Sequence, residues 1–420
     1  MEQNLIKSLR FIIITTVCVV LVSCSKKKEP EVEPPVEVPT NPPASTGSVE
    51  TNPANSNYRP AFTGQTRIGR VTTTTAISRT IVTSSLTAPW GIVVMPDGRF
   101  LVNEKAGRMR IVTATGNVGL PINGLPTVNS CGQGGLLGLC LDPDFSTNRM
   151  VYWSYSELGT GGNVSAVAKG RLANDELSLA GVTVIFRASP RYSGVNHYGG
   201  RVIFDRAGNL FASIGERADN STRIQAQSVT ASIGKVVRIT KDGSAVTGNP
   251  YLNQAGALPE LYSIGHRNPQ GLAIHPITGE IWQSEHGPRG GDEINRIQAG
   301  ANYGWPTITY GLEYSGQPVL TGIQQQSGMT QPVYYWDPVV SPSGMTFYNG
   351  NRVPEWQNNL FIGALSGQHI VRLVITDNVV TGEERLLASE GQRFRDVTQG
   401  ADGALYAITD QGRLYKIDRQ

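Results

Sequence analysis

MPDGRFLVNEKAGRMRIV, residues 95–112, runs from an Asp-Gly turn into an apolar strand whose last residues are polar, then through a second turn into another strand. Asp and Gly suit the tight turns, and the β-branched and aromatic residues between them suit a pleated surface. The same order returns in LDPDFSTNRMVYWSYSE from Leu141, FDRAGNLFASIGE from Phe204, HPITGEIWQSEHG from His275, FYNGNRVPEWQNNLFIGALSGQHIVRLVI from Phe347 and GADGALYAITDQGRLYKI from Gly400. A unit of roughly 40–50 residues, with loops of uneven length between copies, is the mark of a β-propeller. Six copies imply a six-bladed β-propeller in which each quoted strand pair forms inner strands of a blade. A ring of blades must close, because an open one leaves strand edges unpaired. The early strand Arg79–Leu86 is placed to pair with the last blade. A β-sandwich would account for the strands but not for the sixfold recurrence.

The composition agrees. The 420 residues include 48 Gly and 25 Pro, are 39% apolar and 16% charged, and show no long helical periodicity. That is an all-β chain of short strands and tight turns. A formal net charge of +3, with its basic residues scattered, excludes a nucleic-acid surface.

At the N-terminus Lys7 and Arg10 precede the apolar run Phe11–Val22, which ends in LVSC, residues 21–24. The run is too short for an ordinary membrane span and reads as a signal peptide over residues 1–24. Its end resembles the bacterial lipobox, in which Cys24 becomes the acylated first residue. A plain secretory signal with an incidental cysteine is the other reading; the lipobox resemblance implies an outer-membrane lipoprotein, facing the periplasm or the exterior and held by its lipid alone. Residues 25–65 are rich in Lys, Glu, Pro, Asn and Ser and read as a disordered tether, leaving 66–420 for the propeller. Cys131 and Cys140 could pair in an exported compartment, although Cys140, inside LLGLCLDP, reads equally as a buried small residue.

Loops beyond the inner strands of a propeller meet at its central channel, so polar residues beside the strand motifs should converge from distant parts of the chain. This selects GQGG at residues 132–135, Asn196-His197, His266-Arg267-Asn268, Glu285-His286-Gly287-Pro288 and Arg393-Phe394-Arg395. His197 has the side chain most readily tuned to take a proton near neutral pH, though a histidine at a strand start is often only a hydrogen-bonded loop residue. Arg393 and Arg395, two apart on a strand, face the same way and together favour an anionic partner; a surface pair with Asp396 is the plainer reading. Arg267 adds a third planar donor group, or simply anchors its loop to backbone carbonyls. The loop Glu285–Asn295 is rich in carbonyls and carboxylates, which suits Ca²⁺, although it lacks EF-hand spacing and would also serve as a salt-bridged loop. No HExxH pair, GxSxG elbow or phosphate-cradling GKS/GKT loop is present.

The motifs GQGGLLGLCLDPDF, NHYGGRVIFD, IGKVVRI, GHRNPQG, SEHGPRGGDEIN, NYGWP, LFIGAL and RFRDV, in this order from about Ala88 to the C-terminus, resemble the soluble aldose sugar dehydrogenases. These are pyrroloquinoline quinone enzymes related to soluble glucose dehydrogenase. The resemblance implies a six-bladed propeller that oxidises the anomeric carbon of aldoses to lactones and passes electrons to a separate acceptor. It implies His197 as general base and Arg267 as a catalytic residue that also binds the quinone with Asn268. Gln133 would line the sugar and cofactor pocket, and Arg393 and Arg395 would hold the cofactor's carboxylates. The carbonyls of Gly287 and Pro288 would ligate Ca²⁺, Glu293 and Tyr303 would hold a second Ca²⁺, and Trp336 would wall the substrate site after a one-residue shift of the match.

Two positions depart from the family pattern. A lysine that contacts the cofactor is expected after LFIGAL, where this chain has Ser366, with His369 or Lys235 as replacements; and Asn196 stands where the glucose dehydrogenase branch has an acidic residue. Two other functions stay open on the sequence: a Ca²⁺-dependent propeller lactonase, and a sugar-binding propeller that has lost the cofactor.

Overall fold

Twenty-four of the strands fall into six sheets once the N-terminal strand Ser45–Ser48 is set aside as an edge addition. The computed structural model describes residues 45–420, so the expected signal peptide and Cys24 lie outside the described residues. Blade 1 has strands Pro89–Val94, Phe100–Glu104 and Arg108–Val112. Blade 2 has Leu136–Leu141, Met150–Gly159, Gly162–Leu172 and Leu179–Arg187. Blade 3 has Gly199–Phe204, Leu210–Ile214, Lys235–Ile239 and Leu261–Ile264. Blade 4 has Pro269–Ile274, Ile281–Glu285, Asp292–Ile297 and Tyr334–Trp336. Blade 5 has Pro342–Phe347, Leu360–Ala364, His369–Thr376 and Val379–Leu386. Blade 6 has Phe394–Gln399, Leu405–Thr409 and Leu414–Arg419, and its fourth strand is Ile77–Thr83.

That fourth strand closes the ring. Thr83 pairs with Leu414 and Ile77 with Arg419, antiparallel, so the start of the propeller completes its last blade. The first strand of each blade packs against the first strands of both neighbours, all the way round. The quoted copies prove to open one strand late: each starts on the turn that leaves the innermost strand and continues into the second. Crowding at the centre explains why the innermost strands looked less regular. A methyl group on Gly138 would lie 2.5 Å from the Gly200 carbonyl, and one on Gly91 2.9 Å from that of Leu137.

The core is not one cluster but a wedge between each pair of blades. Leu101 packs toward blade 2 with Met109, Leu136 and Trp153, while its neighbours Phe100 and Val102 pack toward blade 6 with Tyr406 and Ile408. Alternate residues of a second strand thus enter opposite wedges, which is why these strands read as unbroken apolar runs.

The expected tether does not reach residue 65. Ser45–Ser48 pairs with Gly69–Arg70, which adds in parallel to the outer edge of blade 5. Asn55 and Ser56 donate four hydrogen bonds of 2.8–3.0 Å to the Asp337 carboxylate, and Gln65 is fully buried. A polar segment without its own core is fixed here by hydrogen bonds to blades that already have one.

Candidate functional site

Neighbouring strands run antiparallel, so the starts of the innermost strands and the ends of the second strands come to one face. There they surround a cavity of about 530 Å³. Ala88, Gln133, His197, Arg267, Ser341 and Arg393, each just before an innermost strand, line it, one from every blade. Lys105, His286, Leu365 and Asp410, each just after a second strand, line it as well. A smaller cavity of about 310 Å³ adjoins at Gln133, His197, Arg267, Pro288 and Tyr314, and adds Asn196, Glu216, Asp219, Asn220, Arg223, Trp305 and Glu313.

His197 stands where the two cavities meet. Its backbone has φ of +45°, a sparsely populated region for a residue with a side chain. The conformation is held by its N–H donating to Gln133 Oε1 at 2.9 Å and its carbonyl accepting from Arg217 N–H at 3.3 Å. Nδ1 lies 2.5 Å from Glu216 Oε1. An ionised carboxylate only accepts, so with Glu216 charged the proton sits on Nδ1 and Nε2 keeps its lone pair. Burial, with the Arg267 and Arg217 guanidiniums adding, holds the imidazole well below its ordinary pKa, so it is neutral at pH 7. Burial also pushes the Glu216 carboxyl up to about 7, against the pull of Arg267 and of the Ala218 N–H. Among the described residues its buried Oε2 has no hydrogen-bond partner.

Arg267 is clamped through its main chain. Its N–H donates to Glu285 Oε1 at 2.5 Å, and its carbonyl accepts from Glu216 N–H at 2.8 Å. Its Nη1 donates to the carbonyls of His286 and Gly287 at 3.1 and 2.7 Å, and its Nη2 to the Tyr314 hydroxyl at 3.3 Å. The guanidinium lies 5.2 Å from the centre of the Trp305 ring. Asn268 is buried; its Oδ1 accepts from Gly199 N–H at 3.1 Å, which fixes the amide, and among the described residues its Nδ2 has no partner. A buried donor left open in this way fits a ligand oxygen.

Arg393 and Arg395 do meet, but on Asp410 rather than Asp396. Arg393 Nε donates to Asp410 Oδ2 at 2.9 Å, while Arg395 donates through Nε and Nη2 at 2.8 and 3.0 Å and through Nη1 to Gln270 at 2.8 Å. Burial raises the Asp410 pKa, but the two guanidiniums outweigh it and hold the carboxyl below its ordinary value. Asp396 lies deeper and binds Arg201 at 2.5 Å. Arg201 in turn donates to the Gln270 carbonyl at 3.0 Å and lies 4.6 Å from the centre of the Trp90 ring, which with Gln270 lines the cavity. The cavity wall therefore carries Lys105, Arg267, Arg393 and Arg395 against the single carboxylate of Asp410. It suits a polyanion.

The expected metal sites are incomplete on the chain's own atoms. Gly287 and Pro288 line the cavity and offer hard carbonyl oxygens, one of them shared with Arg267, where Ca²⁺ takes six to eight ligands. The rest would have to come from a ligand and water. Glu293 and Tyr303 have separate partners: Glu293 accepts from Asn295 at 3.1 Å, and the Tyr303 hydroxyl binds the Arg296 carbonyl and the Gln298 N–H. Burial, with the charges of Glu285 and Asp292, pushes the Glu293 pKa well above its ordinary value. Among the described residues no group of three or more His, Cys, Asp or Glu side chains could hold a metal ion.

Comparison with known proteins agrees with this geometry. Residues 86–416 match the family described as Glucose / Sorbosone dehydrogenase. The aldose sugar dehydrogenase YliI of Escherichia coli (strain K12) is 41% identical over 342 residues, 80% of this chain and 91% of that protein. A crystal structure of glucose dehydrogenase is 43% identical with a TM-score of 0.78, covering 81% of this chain and 99% of that one. The PQQ-bound form of an aldose sugar dehydrogenase from Streptomyces coelicolor is 28% identical with a TM-score of 0.67, covering 83% of this chain and 99% of that one. The chain belongs to the glucose/sorbosone dehydrogenase family.

Within this family member some residues chosen from sequence stand elsewhere. Trp336 is no cavity wall; it lies in the core wedge between blades 4 and 5, with Nε1 donating to Glu383 at 3.2 Å. The aromatic residues at the adjoining cavity are Trp305 and Tyr314, from the insertion between the last two strands of blade 4, and Tyr314 is 73% exposed. Ser366 is exposed, its hydroxyl 2.8 Å from that of Ser341. Neither suggested replacement for the absent lysine reaches the cavity lining. Lys235 is buried and donates to the carbonyls of Gln225, Ala226 and Ile233, and His369 is buried with Nδ1 on the Gly367 carbonyl. Among the described residues Cys131 and Cys140 are free thiols, Cys131 in the loop before the innermost strand of blade 2 and Cys140 within that strand. Glu216, Asp410 and Lys105 escaped selection, though the rule of converging strand ends finds all three: each follows a second strand.

Proposed function

We propose that the protein is a quinoprotein dehydrogenase that oxidises the anomeric carbon of aldose sugars to lactones. The observation that carries the reading is the His197–Glu216 pair, a neutral base with one nitrogen open, set beside a cavity whose wall is cationic. The cofactor-bound structure of the Streptomyces coelicolor relative and the 28% identical quinoprotein glucose dehydrogenase B of Acinetobacter calcoaceticus support pyrroloquinoline quinone as the cofactor.

Bound pyrroloquinoline quinone supplies the two-electron acceptor. Its carboxylates would meet Arg393 and Arg395, and its quinone oxygens Arg267 and the open Nδ2 of Asn268. Ca²⁺ would be held on the protein side by the carbonyls of Gly287 and Pro288. The sugar would occupy the adjoining cavity, its anomeric hydroxyl at His197 Nε2, with Gln133 between the two compartments. His197 accepts the hydroxyl proton as the C1 hydride leaves, and Glu216 then faces an imidazolium that it stabilises. The fixed guanidinium of Arg267 favours negative charge that develops beside it. A lactonase is less well supported, since among the described residues Asp410 is the only carboxylate lining the larger cavity and is occupied by two arginines.

The test is glucose-dependent dye reduction by purified protein supplied with pyrroloquinoline quinone and Ca²⁺, with His197→Ala as control. Absence of both cofactor binding and activity on any aldose would overturn the reading. The anchor at Cys24, which places the enzyme on a membrane surface, is checked by incorporation of labelled lipid that Cys24→Ala abolishes.

A further inference from the structure

We propose that Lys105 is the cation that completes the anion-binding wall of the cavity and contacts a carboxylate of the bound cofactor. The proposal rests on the reading of the cavity as a pyrroloquinoline quinone site, but its evidence is a separate census of the four cations that line it. Arg395 is engaged through Nε and Nη2 by Asp410 and through Nη1 by Gln270, while Arg393 gives Asp410 its Nε alone. Arg267 has Nη1 engaged by two carbonyls and Nη2 by Tyr314, while among the described residues its buried Nε has no hydrogen-bond partner. Lys105 Nζ donates only to the Ser130 carbonyl, at 3.0 Å, and among the described residues no carboxylate lies within ion-pair distance of it. Two of its three N–H bonds are therefore free for a ligand.

The backbone sets that ammonium in place. Lys105 directly follows the second strand of blade 1, the position that His286, Leu365 and Asp410 hold in blades 4, 5 and 6. Its N–H donates to the Ala88 carbonyl and its carbonyl accepts from Leu136 N–H, both at 3.0 Å, tying it to blades 1 and 2. A methyl group on Gly135 would come within 2.5 Å of the Lys105 Cγ, so a glycine here lets the lysine stem lie against the strand start. Burial and the nearby Arg395 guanidinium hold the ammonium below its ordinary pKa. Two like charges facing one cavity are best relieved by an anion between them. Ser366, Lys235 and His369 cannot do this, for the reasons given above.

The full chain is titrated with pyrroloquinoline quinone in Ca²⁺, with quenching of tryptophan fluorescence as the readout, since Trp90 lines the cavity. Lys105→Met should raise Kd about tenfold to a hundredfold, the loss expected for a charge-assisted hydrogen bond. Lys105→Arg should recover most of it, and the salt dependence of Kd should become shallower in Lys105→Met. A Kd for Lys105→Met within about twofold of wild type, with the same salt dependence, overturns the proposal while leaving the cofactor site intact. Wild-type protein that binds no quinone overturns the functional reading instead, and this proposal with it. Should Lys105→Met not fold, Lys105→Gln keeps the stem without the charge and carries the same two outcomes.

Discussion

Blades 3 and 4 contain the same part used in two ways. In each, a histidine just before the innermost strand presents Nδ1 to a glutamate at the end of the second strand: His197 to Glu216 at 2.5 Å and His266 to Glu285 at 2.9 Å. In both the two residues are 19 apart in sequence. The blades differ at the other ring nitrogen. His266 Nε2 is taken by the Ser263 hydroxyl at 2.8 Å, and its ring, stacked 4.9 Å from Tyr303, is sealed from solvent. Among the described residues His197 Nε2 has no such partner, and the residue lines both cavities. Blade 4 uses its pair to seat Arg267; blade 3 leaves one nitrogen free to react. The histidine–glutamate pair by itself is therefore no sign of catalysis. The open nitrogen is.

The largest expected effect follows from that difference. His197→Ala should lower kcat by about 10²–10⁴-fold, the usual contribution of a positioned base, with little change in quinone affinity. His266→Ala should act mainly on stability, because it strands Ser263 and removes a partner of Glu285 in a buried site, at a cost of about 2–4 kcal/mol. Steady-state kinetics and thermal unfolding of the two variants side by side decide the matter. Equal losses of kcat at equal stability would break the distinction between the blades.

A pH dependence comes next, and it belongs to blade 3. Protonation of Glu216 removes the acceptor that keeps the proton on His197 Nδ1, so kcat should rise with pH through about 7, where burial has placed the carboxyl. Glu216→Gln should abolish that step and lower the plateau by at least about tenfold. Stability moves the other way. The folded state binds this proton more tightly than an unfolded carboxyl at 4.5, so the contribution is full below pH 4.5 and is lost as pH rises to about 7. Glu216→Gln should therefore be the more stable protein above pH 7, by up to about 3 kcal/mol, with the advantage gone at pH 4. Unfolding midpoints at the two pH values test this.

The fold was legible because the second strands repeat. Each is buried on both faces and bounded by turns, and that pattern survives insertions. The innermost strands were less visible, since close packing at Gly91 and Gly138 replaces apolar residues with glycine. In the site, the clustered charges of Arg267, Arg393 and Arg395 stood out, whereas Glu216 and Lys105, each beside a residue of opposite charge, and Asp410 look like ordinary surface after a strand. Their role depends on which face of the ring they reach. Trp336 fails for a different reason: it ends the outermost strand of blade 4, and its side chain packs into the wedge toward blade 5, away from the cavity. Asp396 looked like the natural partner of its arginine neighbours, yet its side chain alternates away from Arg395 and into the core. The polar segment before residue 65 lacked any core signal, because its attachment is made of hydrogen bonds to Asp337.

That attachment supplies the smallest predicted effect and the finest contrast between the two blades. The turn after the second strand of blade 3 is closed from within, by Asp219 accepting from Ser221 N–H at 2.8 Å. The corresponding turn of blade 4, which carries Gly287 and Pro288, is braced from outside: Arg289 Nε donates to Asn55 Oδ1 at 3.0 Å, while Asn55 itself donates to Asp337 at 2.8 and 2.9 Å. Asn55→Ala removes the side-chain bonds at both ends of this brace, a loss of about 1–2 kcal/mol confined to one turn. Amide exchange at residues 286–291 should quicken while exchange at 216–220 stays unchanged, and quinone affinity should weaken only a few-fold. The kcat profile through pH 7 should not move, because the His197–Glu216 pair shares no hydrogen bond with this brace. A shift in that profile on Asn55→Ala would show the two blades to be coupled, and would make the reactive pair depend on the segment that leads into the propeller.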